Sequence, residues 1–148
     1  MKNNKPPKLD LSTQERAALR KNKIKTSEIV HFTTDQLISL LSISEQRARE
    51  LRARSEFQSI PSIGPKFAED LIQLGYYSLD ELRDKEGAVL FEELEKLCGV
   101  TIDPCVEDQF RLVIHYAGYP NSSKQWWDFT EERKKYRESS KDIQMKDK

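Results

Sequence analysis

Pro61 and Pro65 bracket a serine, an isoleucine and a glycine in the stretch Ile60-Pro61-Ser62-Ile63-Gly64-Pro65-Lys66. Neither a strand ladder nor a continuous helix passes through such a segment, because each proline removes a backbone donor and fixes φ. Proline does suit the first position of a helix, where its missing N–H has no partner to lose, and Gly64 before it lets the chain bend tightly. The stretch therefore reads as a hairpin feeding a helix that opens at Pro65. The start of that helix is a cluster of free N–H groups, a geometry that receives an anion.

The same pattern occurs earlier in the chain. Leu40 to Leu51 laid over Ile60 to Leu71 matches at Ser42/Ser62, Ile43/Ile63, Ala48/Ala68 and Leu51/Leu71, with Glu50 against Asp70. Each copy has an apolar plug in its hairpin and a small residue where the following helix must approach a neighbour closely. Two hairpin units are expected, sharing the helix from about Ser44 to Phe57 that closes the first and leads into the second. That helix carries Arg47, Arg49, Arg52 and Arg54. Guanidinium forks suit phosphate oxygens, and the same residues suit a solvated face paired with Glu45, Glu50 and Glu56.

The rest of the chain is punctuated by helix signals. Pairs at capping-box spacing are Ser12 with Glu15, Thr33 with Gln36, Ser42 with Glu45, Ser78 with Glu81 and Asp128 with Glu131. Gly75, Gly99 and Gly118 read as stops, Gly87 precedes a longer helix, and Asp103-Pro104 reads as a cap and first helical residue. Val100-Thr101-Ile102 is too short to pair as a strand. The expected fold is all-α: a tandem helix-hairpin-helix bundle over residues 12–118, then a linker and an aromatic/basic helix packed on it over 119–138. Residues 1–11 read as a disordered basic arm and 139–148 as a disordered tail.

The net charge of zero conceals a division along the chain. Met1 to Ser55 holds 12 Lys/Arg against 6 Asp/Glu, Glu56 to Gly118 holds 5 against 13, and Tyr119 to Lys148 holds 8 against 6. The acidic middle invites a basic partner. Lys21-Asn22-Lys23-Ile24-Lys25 fits either phosphate attraction or an ordinary helix end. Trp126-Trp127-Asp128-Phe129, followed by Arg133, Lys134, Lys135 and Arg137, fits base stacking beside phosphate contacts. It fits equally an anchor holding the last helix on the core.

Catalytic signals are missing from the sequence. His31 and His115 lie far apart, Cys98 and Cys105 lack zinc-type spacing and read as buried structural thiols, and the Glu92-Glu93-Glu95 run reads as a solvated face. No phosphate loop of the Walker type and no dinucleotide-binding glycine pattern occurs. A non-enzymatic protein is expected, with no metal and no cofactor. There is no apolar leader in MKNNKPPKLD and no run long enough to cross a membrane, so the expected location is the cytoplasm.

Three blocks, EFQSIPSIGPKFAEDLIQLGYYSLDEL, GVTIDPCVEDQFRLVIHYA and KQWWDFTEERKKYRE, resemble the small bacterial pathogenicity-locus family, and the resemblance covers roughly residues 15 to 138. Many of its members are labelled mitomycin-resistance-like. The family is similar to helix-hairpin-helix proteins, and the resemblance implies sequence-independent binding of the DNA phosphate backbone, in DNA repair or resistance to a DNA-damaging drug. The implied contacts are Ser62, Ile63, Gly64 and Lys66 in the hairpin, with Arg47, Arg49, Arg52 and Arg54 as charge partners. A DNA-binding hairpin usually reads apolar-Pro-Gly-apolar-Gly. Here Ser62 replaces the first glycine, fitting if its φ is negative, and Lys66 is followed by Glu69 and Asp70. The alternative is a protein-interaction module in which the hairpins are structural only and the acidic middle meets its partner.

Overall fold

A computed structural model describes residues 5–146, with side chains for 5–140, and every regular element among them is helical. The order is α1 (Thr13–Lys21), a 3-10 turn (Thr26–His31), α2 (Thr34–Leu41), α3 (Glu45–Gln58), α4 (Pro65–Gln73), a second 3-10 turn (Asp80–Leu82), α5 (Gly87–Cys98), α6 (Cys105–Gly118), a third 3-10 turn (Trp126–Phe129) and α7 (Thr130–Lys146). Among the described residues no helix is long and apolar enough to cross a membrane.

Two capping boxes form as the spacing predicts. Ser12 Oγ accepts from Glu15 N–H at 3.0 Å while Glu15 accepts from Ser12 N–H at 2.8 Å, and Thr33 and Gln36 exchange the same pair. The other three are corrected. Ser42 is the left-handed residue that stops α2, and Ser44 caps α3 by accepting from Arg47 N–H at 3.1 Å. Glu81 reaches back to Tyr77 N–H at 2.7 Å, because the Asp80–Leu82 turn brings it within reach of that donor. Asp128 accepts from Gln125 N–H at 2.8 Å, so it closes the Trp126–Phe129 turn and does not open α7.

The 20-residue repeat survives at the level of the backbone. Ser42 has φ +54° and Ser62 φ +65°, so equivalent residues occupy the left-handed region in both hairpins. Ser44 and Gly64, again equivalent, are the extended caps of α3 and α4. Ala48, Ala68, Leu51 and Leu71 are all fully buried. The condition under which Ser62 fits in glycine's place, a negative φ, is not met: serine instead holds the left-handed conformation that glycine adopts at no steric cost, at an expense of about 1–2 kcal/mol. Ser42 is exposed, so Ser42→Gly tests this simply. Relief of the strain outweighs the added freedom of the unfolded chain, and a gain of roughly 0.5 kcal/mol is expected in urea unfolding; a loss would mean that Ser42 does more than turn the chain.

Two apolar clusters meet on α3. Its first half contributes Ala48 and Leu51 to a cluster with Leu19, Ile29, Leu37 and Leu41. Its second half contributes Ala53 and Phe57 to a larger cluster that includes Ile60, Ile63, Phe67, Phe110 and Tyr116. Alternation of faces between the two halves is why α3 shows no single apolar stripe. Gly87 opens α5 against α6 so closely that a Cβ there would lie 2.6 Å from Arg111 Cγ.

The ends of the chain and the thiols differ from expectation. Residues 1–4 of the expected basic arm lie outside the described residues. Beyond them, Gln58 Oε1 accepts from Lys8 N–H at 2.9 Å while its amide donates to Lys8 C=O at 3.0 Å, and Leu9 and Leu11 pack on the first cluster. A buried amide side chain that satisfies a backbone pair pins the arm. Of the expected disordered tail 139–148, α7 continues through Lys146 and residues 147–148 lie outside the described residues. Cys98 is exposed and Cys105 half-buried, because both sit where α5 and α6 end or begin and not on their core-facing stripes.

Candidate nucleic-acid interface

The second hairpin places its four predicted residues in different roles. Ile63 is a core residue and its N–H is consumed by Ile60 C=O at 3.2 Å. Gly64 offers α4 no side-chain cap, and the first amide bonded back along the helix is that of Ala68, to Gly64 C=O at 3.2 Å. The first-turn N–H groups at Lys66 and Phe67 therefore point out of the helix end, the position at which a phosphate is received. The Lys66 ammonium is exposed and lies 3.1 Å from Asp70. That hydrogen bond raises the lysine's affinity for its proton, while burial pushes the Asp70 carboxyl up.

Ser62 turns its hydroxyl inward, donating to Pro61 C=O and accepting from Trp126 N–H at 3.2 Å. This bond joins residues 64 positions apart and brings the aromatic segment to the hairpin. Trp126 packs on the larger cluster and Phe129 is buried in it, whereas Trp127 is 55% exposed with its ring 5.5 Å from that of Trp126. The two readings of the adjacent tryptophans thus divide between them: Trp126 anchors and Trp127 faces solvent. Their proximity to the hairpin is invisible in the sequence, since no spacing rule links positions so far apart.

The arginine helix is disposed differently. Arg47 binds Glu15 through Nε at 2.8 Å and Nη2 at 2.9 Å, and also reaches Asp10. The guanidinium of Arg49 lies 4.2 Å from the centre of the Tyr77 ring, and Arg52 donates to Phe32 C=O at 3.2 Å and pairs with Glu56 at 3.5 Å. Arg54 is half-buried, and its Nε is shielded with no acceptor among the described residues. Arg47 lies 11 residues from the end of α3, about 16 Å along the axis, and Tyr77 follows the far end of α4. Arg47 and Arg49 therefore stand at the opposite end of the α3–α4 pair from the second hairpin.

Arg133 and Arg137 of α7 also turn inward, onto acidic residues of α5 and α6, while Lys134 and Lys135 stay exposed. Asp108, fully buried, accepts from Arg133 Nε at 2.6 Å and from Thr130 Oγ1 at 2.8 Å. Glu107, 1% exposed, accepts from Arg111 at 3.0 Å and from Arg137 Nε at 2.8 Å, and Arg137 also reaches Glu92 at 2.8 Å. Part of the partner sought by the acidic middle is thus the last helix of the same chain. No spacing rule in the sequence pairs Arg133 and Arg137 with residues 25 and 30 positions away.

With this arrangement in view, comparison with known proteins decides the relationship. The pathogenicity locus model matches residues 36–135, which run from α2 into α7 and take in both hairpins, the arginine helix and the aromatic turn. The chain belongs to the pathogenicity locus family. It is also similar to the mitomycin resistance protein McrB of Streptomyces lavendulae, with 28% identity over 82 residues, covering 55% of this chain and 76% of that one. No solved structure matches the chain.

Proposed function

We propose that the protein is a cytoplasmic, non-catalytic DNA-binding protein that receives the phosphate backbone at the second hairpin, independently of sequence, and serves in resistance to DNA-damaging drugs. The observation that carries this reading is the uncapped start of α4. Ser62 in the left-handed conformation delivers the chain to Gly64 and Pro65, and the amides of the first turn are left open beside an exposed lysine. Trp127 on the adjoining segment supplies an aromatic face for an unstacked base. The relative named for mitomycin resistance supports the drug context. Arg47 and Arg52, whose acceptors lie within the chain, take no part in this reading.

The test is fluorescence anisotropy with labelled duplex, nicked and single-stranded DNA over a range of salt. Affinity is expected to fall steeply and log-linearly with salt, and Lys66→Ala to reduce the slope by about 1. Absence of binding at low ionic strength to all three would end the proposal. The internal pairing of the arginines favours the alternative, a protein-interaction module whose hairpins are structural. A pull-down that survives nuclease treatment would support it.

A further inference from the structure

A groove of about 450 Å³ lies between α4, α5, the following loop and the start of α6, and it shares Gly64, Pro65 and Lys66 at one end with the phosphate site proposed above. Its floor and walls are Phe67, Leu94, Ile102 and Val106. Val100, which lines it, is 62% exposed, and Leu97, one turn beyond Leu94 on α5, is 57% exposed. Apolar side chains left in water around a concave apolar surface mark a place where something docks.

The charges around the groove are mostly of one sign. Asp70 lines it, with Glu69 close enough to act electrostatically on both Asp70 and Lys66. Glu95 is held at the edge by accepting from Ile102 N–H at 3.0 Å, and Asp103 follows Ile102 in the chain. Lys66 is the single basic residue in the lining, and it is paired with Asp70.

We propose that this groove docks a basic amphipathic helix of a partner protein. The volume accommodates about two large apolar side chains, the number that one helix face presents at i and i+4. Lysines or arginines flanking such anchors meet Glu69, Glu95 and Asp103, while Asp70 stays with Lys66. The apolar contact supplies affinity, and the acidic border selects against acidic competitors.

The experiment uses the full chain without DNA, so its outcome is separate from that of the DNA-binding reading. Two synthetic helices of roughly four turns with the same leucine face, one with lysine and one with glutamate on the polar face, are titrated by calorimetry. The Leu/Lys peptide is expected to bind at least about tenfold more tightly than the Leu/Glu peptide. A Leu97→Ser/Val100→Ser variant, altered at exposed positions and checked for unchanged circular dichroism, is expected to weaken Leu/Lys binding by about tenfold or more while retaining every acidic group. Equal affinity for the two peptides would overturn the proposal. So would binding that the serine variant leaves intact, which would report charge attraction alone. Sedimentation showing self-association that the serine variant abolishes would also overturn it, since a second copy would then occupy the groove.

Discussion

Replacing Asp108 with alanine is expected to lower the unfolding free energy by about 3–5 kcal/mol, the cost of stranding a buried cation. The carboxylate is fully buried, and both oxygens are used, one by Arg133 Nε at 2.6 Å and the other by Thr130 Oγ1 at 2.8 Å. Without it, Arg133, whose side chain is only 12% exposed, loses its counter-charge where water replaces it poorly. For a chain of this size the loss corresponds to a fall of roughly 10 °C in the midpoint of thermal unfolding. Replacing both partners with apolar residues, Asp108→Leu with Arg133→Met, is expected to recover most of it, because no charge is then left in the interior. Chemical denaturation of the three variants decides the matter: a single-variant loss below about 1 kcal/mol would show that water reaches the pair and that it behaves as a surface bridge.

Arg47→Ala is the second large effect, and it separates two roles for a residue that the sequence nominates as a phosphate ligand. Glu15 is 5% exposed, and the Arg47 guanidinium holds its carboxyl down at about 2, against the opposing effect of burial and with help from Ser12 N–H. Because the folded value lies below the ordinary 4.5, this pair contributes fully above about pH 4.5 and its contribution disappears as pH falls toward 2. Ser12 supplies part of the lowering and remains in the variant, so the share of Arg47 at neutral pH is on the order of 1–3 kcal/mol. The alanine variant is therefore expected to lose about that much at pH 7 in urea unfolding, and to show a much smaller further loss between pH 5 and pH 2 than the parent. Retained stability with a reduced salt slope for DNA would instead make Arg47 a phosphate contact and sink the structural reading.

These two residues show why the fold was more legible in the sequence than the site. The hairpins, the repeat and the helix stops depend on residues within a turn or two of one another, where proline, glycine and capping side chains act through local geometry. The repeat extended even to backbone conformation, with Ser42 and Ser62 at matching positive φ. Where several capping partners competed locally, spacing alone chose poorly, as Ser42 against Ser44 shows. The site depends on where arginines point. Arg47 has Glu15 for a partner across 32 residues and Arg133 has Asp108 across 25, and in sequence a buried arginine is indistinguishable from a solvated one. Trp127 and the groove by α5 arise in the same way, from elements brought together after the helices have formed.

The division of α3 between two cores has a consequence for how the molecule opens. Its first turns can loosen with the cluster around Leu37, and its last turns with the cluster around Phe110. The turn between them, from Leu51 to Ala53, is held from both directions. Breathing motions that expose one end of α3 leave that middle turn closed, and its amides reach solvent only when both clusters come apart together. The helix that carries four arginines is thus the clasp between two halves of the chain.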